Sequence, residues 1–361
     1  IFVVMLLGAT PEIMAAGSTL ATTVAASSAF LYLLKYYNKN KKDIWKEIKE
    51  SPKFKLDSKK KIVKKLISYV IPISFGSIVV ALSGVIDIVT VMDGLQKMGM
   101  GLKDANEQFG ILLGKVDILN AVPLSINVAF SVALVPFISG ALARHRKNEA
   151  INKINYSLKI SSCIAFPCAA GLFVLAGPIF QLIFPNASQG AGLLQIQCWT
   201  IIFAVLAQTL SGSLQGFGKL YVPGVCLAIG AIVKYFINVI FVPKYGIIVP
   251  AISTVIYNAI SCILAFIILF KVIKKKPNIL EILIKPALAT LVMAIVVFLT
   301  YKGLILFNIS NNVATIISLF VAVFIYVVAL FAFNILKKDE ILQLPFGTKI
   351  YNFVRIFKKM Q

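Results

Sequence analysis

The chain has 361 residues and carries 36 Lys and Arg against 14 Asp and Glu, which gives a formal net charge of +22. Apolar residues make up 59% of the chain, charged residues only 14%, and the mean hydropathy is +0.90. A soluble globular protein is about 45–50% apolar and about 25% charged. The composition therefore excludes a soluble enzyme, a disordered chain and a disulfide scaffold. It predicts an all-α, polytopic transmembrane helix bundle.

Nine apolar segments follow one another along the chain. Each is long enough to cross about 30 Å of hydrocarbon at about 1.5 Å per residue, which is typical of membrane-spanning helices. We therefore predict nine complete spans. They lie near 12–34, 63–92, 110–142, 154–183, 192–214, 220–242, 247–270, 283–306 and 313–336.

The basic residues are distributed unequally between the two sides of these spans. Of the 36 Lys and Arg, 29 fall in loops on one side and four in loops on the other, without a break over nine crossings. Cytoplasmic loops are enriched in Lys and Arg, and a missed helix would have inverted the alternation. We therefore expect a multi-pass protein of the cell membrane with a cytoplasmic C-terminus. The cytoplasmic segments are 35–65, 144–153, 219, 271–285 and 337–359.

The longest basic segment divides the chain into regions. Residues 1–34 are predicted to end an N-terminal lobe, with a partial helix and one full span; because Ile1 opens inside an apolar run, we expect the natural N-terminus to lie upstream. Residues 35–62 are predicted to be a basic cytoplasmic linker with an interfacial amphipathic helix, 63–336 a C-terminal lobe of eight spans, and 337–361 an amphipathic cytoplasmic tail. The basic amphipathic segments should bind anionic membrane lipids. Because topology accounts for the charge, we expect no nucleic-acid partner.

Lys234 is the clearest functional candidate, because an ionisable residue at mid-membrane costs about 2.5–3.5 kcal/mol on insertion scales. It lies near the middle of the 220–242 span, with Asn238 one helical turn further on. A buried ammonium at this depth needs a partner, a cavity or an anion. Attraction of an anionic head group is the functional interpretation, and an ion pair inside the bundle is the structural alternative.

Four further polar residues are candidates for the substrate pathway. Asp87 lies near the outer end of the second predicted span, and Lys115, Asp117 and Asn120 lie near the outer end of the third. A contact between Lys115 and Asp87 across the two helices is possible. The alternative is that all four lie in water at the outer interface. Lys159, near the cytoplasmic end of its span, is expected to reach the lipid head groups.

Sequence motifs typical of enzymes are missing. The chain has no H-E-x-x-H, no G-x-S-x-G, no Walker loop and no Asp-rich diphosphate motif. We therefore expect a protein that is not an enzyme and needs no metal or cofactor, with a coupling ion as a candidate partner. The five Cys lie in apolar runs without metal-ligand spacing, so we expect them to act as small hydrophobic residues.

Several segments resemble, in order, the helices of one transporter family. The segment ALVPFIS at 133–139 resembles the end of that family's eighth helix, and AGL and AGPI within 170–184 resemble the ninth. The segment LQGFGK at 214–219 resembles a tight cytoplasmic turn, and 234–254, with PKYGI and AIST, resembles the eleventh and twelfth helices. The chain is similar to the stage V sporulation protein B and MurJ-like lipid II flippase branch of the multidrug/oligosaccharidyl-lipid/polysaccharide exporter superfamily.

The resemblance implies a fourteen-helix, two-lobe transporter with a central cationic cavity, in which the nine spans would be helices 6–14. It implies flipping of an undecaprenyl-diphosphate-linked cell-wall or polysaccharide precursor, such as lipid II or a lipid-linked oligosaccharide, by alternating access. The MurJ-like members use an Arg and a Glu on the eighth helix. In this chain Lys115, Asp117 and Asn120 occupy that neighbourhood, and the pair is not reproduced.

Three other functions are alternatives to flipping. A cation-coupled multidrug exporter would need buried acids on its pathway, whereas this chain has a deep Lys. A membrane glycosyl- or phosphotransferase would need clustered cytoplasmic carboxylates for Mg²⁺, which the sequence lacks. A non-enzymatic membrane scaffold is compatible with the sequence.

Overall fold

A computed structural model describes residues 11–50, 58–185, 189–274 and 278–335, and every regular element in these ranges is helical. The ten helices are α1 (Pro11–Glu50), α2 (Lys59–Lys97), α3 (Leu102–Ala143), α4 (Lys147–Val174), α5 (Ala176–Ile183), α6 (Ala191–Gly216), α7 (Val222–Tyr245), α8 (Ile248–Ile273), α9 (Leu280–Leu306) and α10 (Asn311–Ala332).

Eight of these helices are long and apolar enough to span a membrane, namely α2, α3, α4, α6, α7, α8, α9 and α10. They match eight of the nine predicted spans and confirm the polytopic helical fold class. The predicted span at 12–34 lies inside α1 and is not among the eight. Its six Ser and Thr between residues 18 and 28 lower its hydropathy.

Two details differ from the predicted boundaries. The predicted span 154–183 is two helices, since α4 ends at Val174 and α5 begins at Ala176. Pro178 is tolerated there because it occupies the first turn of α5, where the backbone N–H has no partner within the helix. In α1 the helix continues to Glu50, so the predicted interfacial stretch belongs to the same helix as 12–34. The membrane placement of that stretch stays a prediction, and the predicted tail at 337–361 lies outside the described residues.

The chain forms two compact units, residues 1–64 and 65–361. In the second unit, α6 is the most enclosed of the candidate spans, because 72% of the residues in its 18-residue apolar stretch are buried. Ile201, Val205, Leu210 and Leu214 on this helix are completely buried. They form one core with side chains of α3, α4, α8 and α9. The interior of this unit is therefore organised around α6.

Candidate functional site

An ion pair between α2 and α7 is the most deeply placed charged feature of the described residues. Lys234 Nζ lies 2.5 Å from Asp87 Oδ2 and 3.3 Å from Ser83 Oγ. The side chain of Lys234 is 3% exposed and that of Asp87 13% exposed. At about 1.5 Å per residue, Lys234 lies about 18 Å from the start of α7 and about 16 Å from its end. The pair is therefore near the middle of a helix that is long enough to cross the membrane.

Asn238 extends this pair into a network that joins three helices. Its amide Nδ2 donates to Asp87 Oδ1 at 3.0 Å and to Thr90 Oγ1 at 3.1 Å, both on α2. Its Oδ1 accepts a hydrogen bond of 2.6 Å from Ser253 Oγ on α8. We call Ser83, Asp87, Thr90, Lys234, Asn238 and Ser253 the charged cluster.

Helical periodicity explains why these side chains meet. Ser83, Asp87 and Thr90 are spaced by four and three residues, so they share one face of α2, and Lys234 and Asn238 share one face of α7. Small residues let the two helices approach closely on both sides of the cluster. A Cβ added at Gly224 would lie 2.6 Å from Phe75 Cδ1, and one added at Gly94 would lie 2.6 Å from Val242 Cγ1.

The pairing also has an electrostatic reason. An isolated charge in a low-dielectric interior is very unfavourable, and a buried ion pair is tolerated when hydrogen bonds satisfy its remaining polar atoms. Here Asn238 and Ser83 supply such bonds, and the ring of Tyr257 lies 5.6 Å from Lys234 Nζ. Because the charges cancel, the pair as a whole is close to neutral in this conformation.

The three candidates on α3 are not members of the charged cluster. Gln197 Nε2 on α6 donates a hydrogen bond to Asp117 Oδ1, and electrostatic interactions link Asp117 to both Asp87 and Lys234. Asn120 is 3% exposed, and its side-chain N and O have no hydrogen-bond partner among the described residues. The cation beside Asp87 is Lys234, whereas Lys115 Nζ lies 5.3 Å from the ring of Phe184.

A second polar network, missed by the sequence analysis, joins α3, α4 and α6. Asn127 Nδ2 donates to Val205 O at 2.9 Å, to Gln208 Oε1 at 3.1 Å and to Thr209 Oγ1 at 3.2 Å. Ser161 Oγ donates to Asn127 Oδ1 at 2.7 Å and lies 2.7 Å from Thr209 Oγ1. We call Asn127, Ser161, Gln208 and Thr209 the neutral cluster. The one feature of the sequence that could have revealed this cluster is Asn127, a polar residue in the middle of an apolar span.

Lys159 has a charged neighbour that is distant in the sequence. The side chain is 3% exposed, and its Nζ lies 4.0 Å from Glu281 Oε2 at the start of α9. The first turn of α9 therefore lies beside the Lys159 head group, and contact of this side chain with lipid head groups stays a prediction. Glu281 had no role in the sequence analysis, since it lies in a predicted cytoplasmic loop.

Comparisons with known proteins identify the family. Residues 117–328 match the model of the family described as Lipid II flippase MurJ. Three proteins of Bacillus subtilis (strain 168) are similar. The Uncharacterized membrane protein YabM is 29% identical over 236 residues, 63% of this chain and 43% of that protein. The Lipid II flippase MurJ is 24% identical over 290 residues, 79% of this chain and 52% of that protein. Stage V sporulation protein B is 24% identical over 340 residues, which are 92% of this chain and 64% of that protein.

A solved structure supports the same fold. The Lipid II flippase MurJ in an inward closed conformation aligns with a TM-score of 0.54 at 19% identity, covering 80% of this chain and 58% of that one. The chain spans about half the length of the curated relatives it matches. Because the family model covers more than half of the residues, the chain belongs to the lipid II flippase MurJ family of multi-pass membrane proteins.

Proposed function

We propose that this chain forms part of a flippase that moves an undecaprenyl-diphosphate-linked precursor from the cytoplasmic to the outer leaflet by alternating access. Membership of the MurJ family supports this class of transport over drug export. The observation that carries the proposal is the buried Lys234, held 2.5 Å from Asp87 near the middle of α7. Because a charge at such depth is costly, the charges that membrane proteins keep there usually belong to a substrate or ion pathway.

The physical problem of flipping is the charge of the diphosphate. Hydrocarbon cannot replace the water around a phosphate, so the head group needs a protein pathway with fixed donors and cations, while the polyprenyl tail stays in lipid. Lys234 offers an ammonium to a phosphate oxygen, and Asn238 holds Asp87 one turn away. Asn120, whose buried amide lacks a partner among the described residues, is the candidate on α3 for contacting the sugar.

The ion pair suggests how such a site would open and close. While Asp87 holds Lys234, the pair attracts an anion weakly because its net charge is close to zero. We propose that the diphosphate displaces Asp87 from Lys234, so that the ammonium always has a negative partner. The released Asp87 carboxylate keeps its bond from Asn238 and takes up a proton or a cation, which is the step where a coupling ion would act.

The proposal also fixes the orientation of the chain in the membrane. The loops rich in Lys and Arg would lie in the cytoplasm together with the C-terminus, and the basic segments near 35–62 and 337–361 would bind anionic lipid. Lipid-linked precursors are made with their head groups on one side of the membrane, so a fixed orientation is needed for directional use of the pathway.

The test is transport in vesicles that contain the whole transporter of which this chain forms part. A fluorescent undecaprenyl-diphosphate-linked sugar is placed in one leaflet, and its arrival in the other is read by a membrane-impermeant quencher. We expect transport by the wild type and loss of at least about tenfold in Lys234→Ala, because the only deep ammonium of α7 is gone. Lys97→Ala is the matched control, since Lys97 pairs with Asp93 on the exposed part of α2. Full transport by Lys234→Ala would refute the role of Lys234, and no transport by the wild type would refute the proposed function.

A further inference from the structure

A polar cavity and an apolar groove meet at Ile282, near the start of α9. The polar cavity has a volume of about 310 Å³ and the apolar groove about 460 Å³. Both volumes fall within the about 300–1,000 Å³ that is typical of small-molecule sites. Neither cavity includes a residue of the charged cluster, so this composite site is separate from the proposed transport site.

The polar cavity presents both signs of charge and several amides. Lys159 and Asn155 line it from α4, and Glu281 and Asn278 line it from the start of α9. Lys159 Nζ and Glu281 Oε2 are 4.0 Å apart. The buried Oδ1 of Asn155 has no hydrogen-bond partner among the described residues. A buried amide oxygen without a partner is unfavourable, so this cavity favours a ligand that brings N–H donors.

The groove continues the cavity with apolar side chains from four helices. They include Leu158 and Phe166 of α4, Leu206 of α6, Phe266 of α8 and Leu283 of α9. Ile263 and Trp199, which also line it, are 54% and 45% exposed, so the groove opens on the surface of the bundle. From Leu158 to Phe166 the groove extends about 12 Å along α4, close to the half-thickness of about 15 Å of a hydrocarbon core.

We propose that this composite site binds a glycerophospholipid with a phosphoethanolamine head group from the cytoplasmic leaflet. The phosphate lies towards Lys159, the ammonium towards Glu281 and Asn155, and one acyl chain fills the groove. The basic loops near 144–153 and 271–285 give this end of α4 and α9 its expected cytoplasmic position.

The charges favour a zwitterion over the other common head groups. An anionic lipid without an amine would bring a negative charge beside Glu281 and no N–H donor for Asn155 Oδ1. A trimethylammonium head group carries a positive charge but no N–H, so it cannot donate to Glu281 or to Asn155 Oδ1. A primary ammonium has three N–H donors and satisfies both acceptors.

The experiment measures lipid retention by native mass spectrometry of the purified protein. The protein is titrated with dioleoyl lipids bearing phosphoethanolamine, its N-methyl and N,N-dimethyl forms, phosphocholine, or phosphoglycerol. We expect retention to fall stepwise as methyl groups replace N–H donors, with about a tenfold difference between the first and the phosphocholine lipid, the size of one charge-assisted hydrogen bond. This series uses the wild-type protein, so it does not depend on whether a variant folds.

Two variants assign the retained lipid to this site. Glu281→Gln removes the partner of the ammonium and should reduce the preference for phosphoethanolamine over phosphocholine to about onefold. Ile263→Trp fills the groove and should lower retention of every lipid about tenfold. The matched control is Ile252→Trp, an equally surface-facing Ile of α8 that is 41% exposed and does not line the groove.

Two results would overturn the proposal. Equal retention of all five lipids would mean that the cavity holds water alone, and strongest retention of the phosphoglycerol lipid would mean that the site selects anions. Because the readout is lipid binding, it is independent of whether the protein transports a diphosphate-linked precursor.

Discussion

The charged cluster and the neutral cluster are both buried polar networks between helices. They differ in whether an ion from outside the protein could replace one of the partners. In the neutral cluster, every hydrogen bond of Asn127 joins two neutral groups within the protein. In the charged cluster, Lys234 and Asp87 each carry a charge that another ion could satisfy. Neutral hydrogen bonds hold membrane helices together at a modest gain, whereas intramembrane charges are kept for function. The comparison predicts that the first network stabilises the fold and the second serves transport.

The largest effect is expected from breaking the ion pair on one side. Lys234→Met leaves the Asp87 carboxylate buried without its cation, which costs about 3–5 kcal/mol of folding free energy. The double variant Lys234→Met with Asp87→Leu removes both charges and should recover most of that loss without recovering transport. Thermal unfolding of the purified proteins measures the first effect, and vesicle transport measures the second. If the double variant transported precursor normally, the pair would be structural only.

A smaller effect is expected from the neutral cluster. Asn127→Leu removes the amide that bonds Gln208, Thr209 and Ser161, and it should cost about 1–3 kcal/mol of stability. Transport per folded molecule should stay within about twofold of wild type, because no charge on the pathway is altered. Thermal unfolding measures the stability of Asn127→Leu and the wild type, and vesicle transport normalised to the folded fraction measures their activity. A complete loss of normalised transport would remove the distinction between the two clusters.

Asn120 sharpens the comparison, because it belongs to neither cluster. Its amide has no partner among the described residues, so Asn120→Leu should leave the free energy of unfolding unchanged within about 0.5 kcal/mol or raise it slightly. Transport should fall several-fold if the amide contacts the substrate. A destabilisation equal to that of Asn127→Leu would instead place Asn120 among the structural residues of α3.

The smallest effect is expected at the exposed pair on α2. Asp93 Oδ2 and Lys97 Nζ are 2.6 Å apart, within 0.1 Å of the separation in the buried pair, but their side chains are 59% and 61% exposed. Water screens an exposed pair, which contributes about 0–1 kcal/mol. Asp93→Asn should therefore change neither unfolding nor transport measurably in the same two assays. If Asp93→Asn lost as much stability as Lys234→Met, the separation of the two charges, rather than their burial, would set how much an ion pair contributes to stability.

Particular residues show how far sequence reasoning reached. Lys234 and Asn238 were placed together because they are four residues apart on one helix, and the structure brings both into one network. Their partner Asp87 is 147 residues from Lys234 along the chain, and helical periodicity cannot pair faces of distant helices. Lys159 was predicted to reach the lipid head groups, and nothing local in the sequence reveals that its ammonium also lies 4.0 Å from Glu281.

The sequence by itself determined the order along the chain of the eight helices that are long and apolar enough to cross a membrane. Each apolar run must satisfy its own backbone hydrogen bonds, and that requirement is local to the run. Only the tertiary structure decided which polar groups share an interior: Asp87 with Lys234, Asn127 with Ser161 and Thr209, and Lys159 with Glu281. These pairings depend on which helix faces pack together. That choice is made by shape and small residues over the whole bundle, so no single segment encodes it.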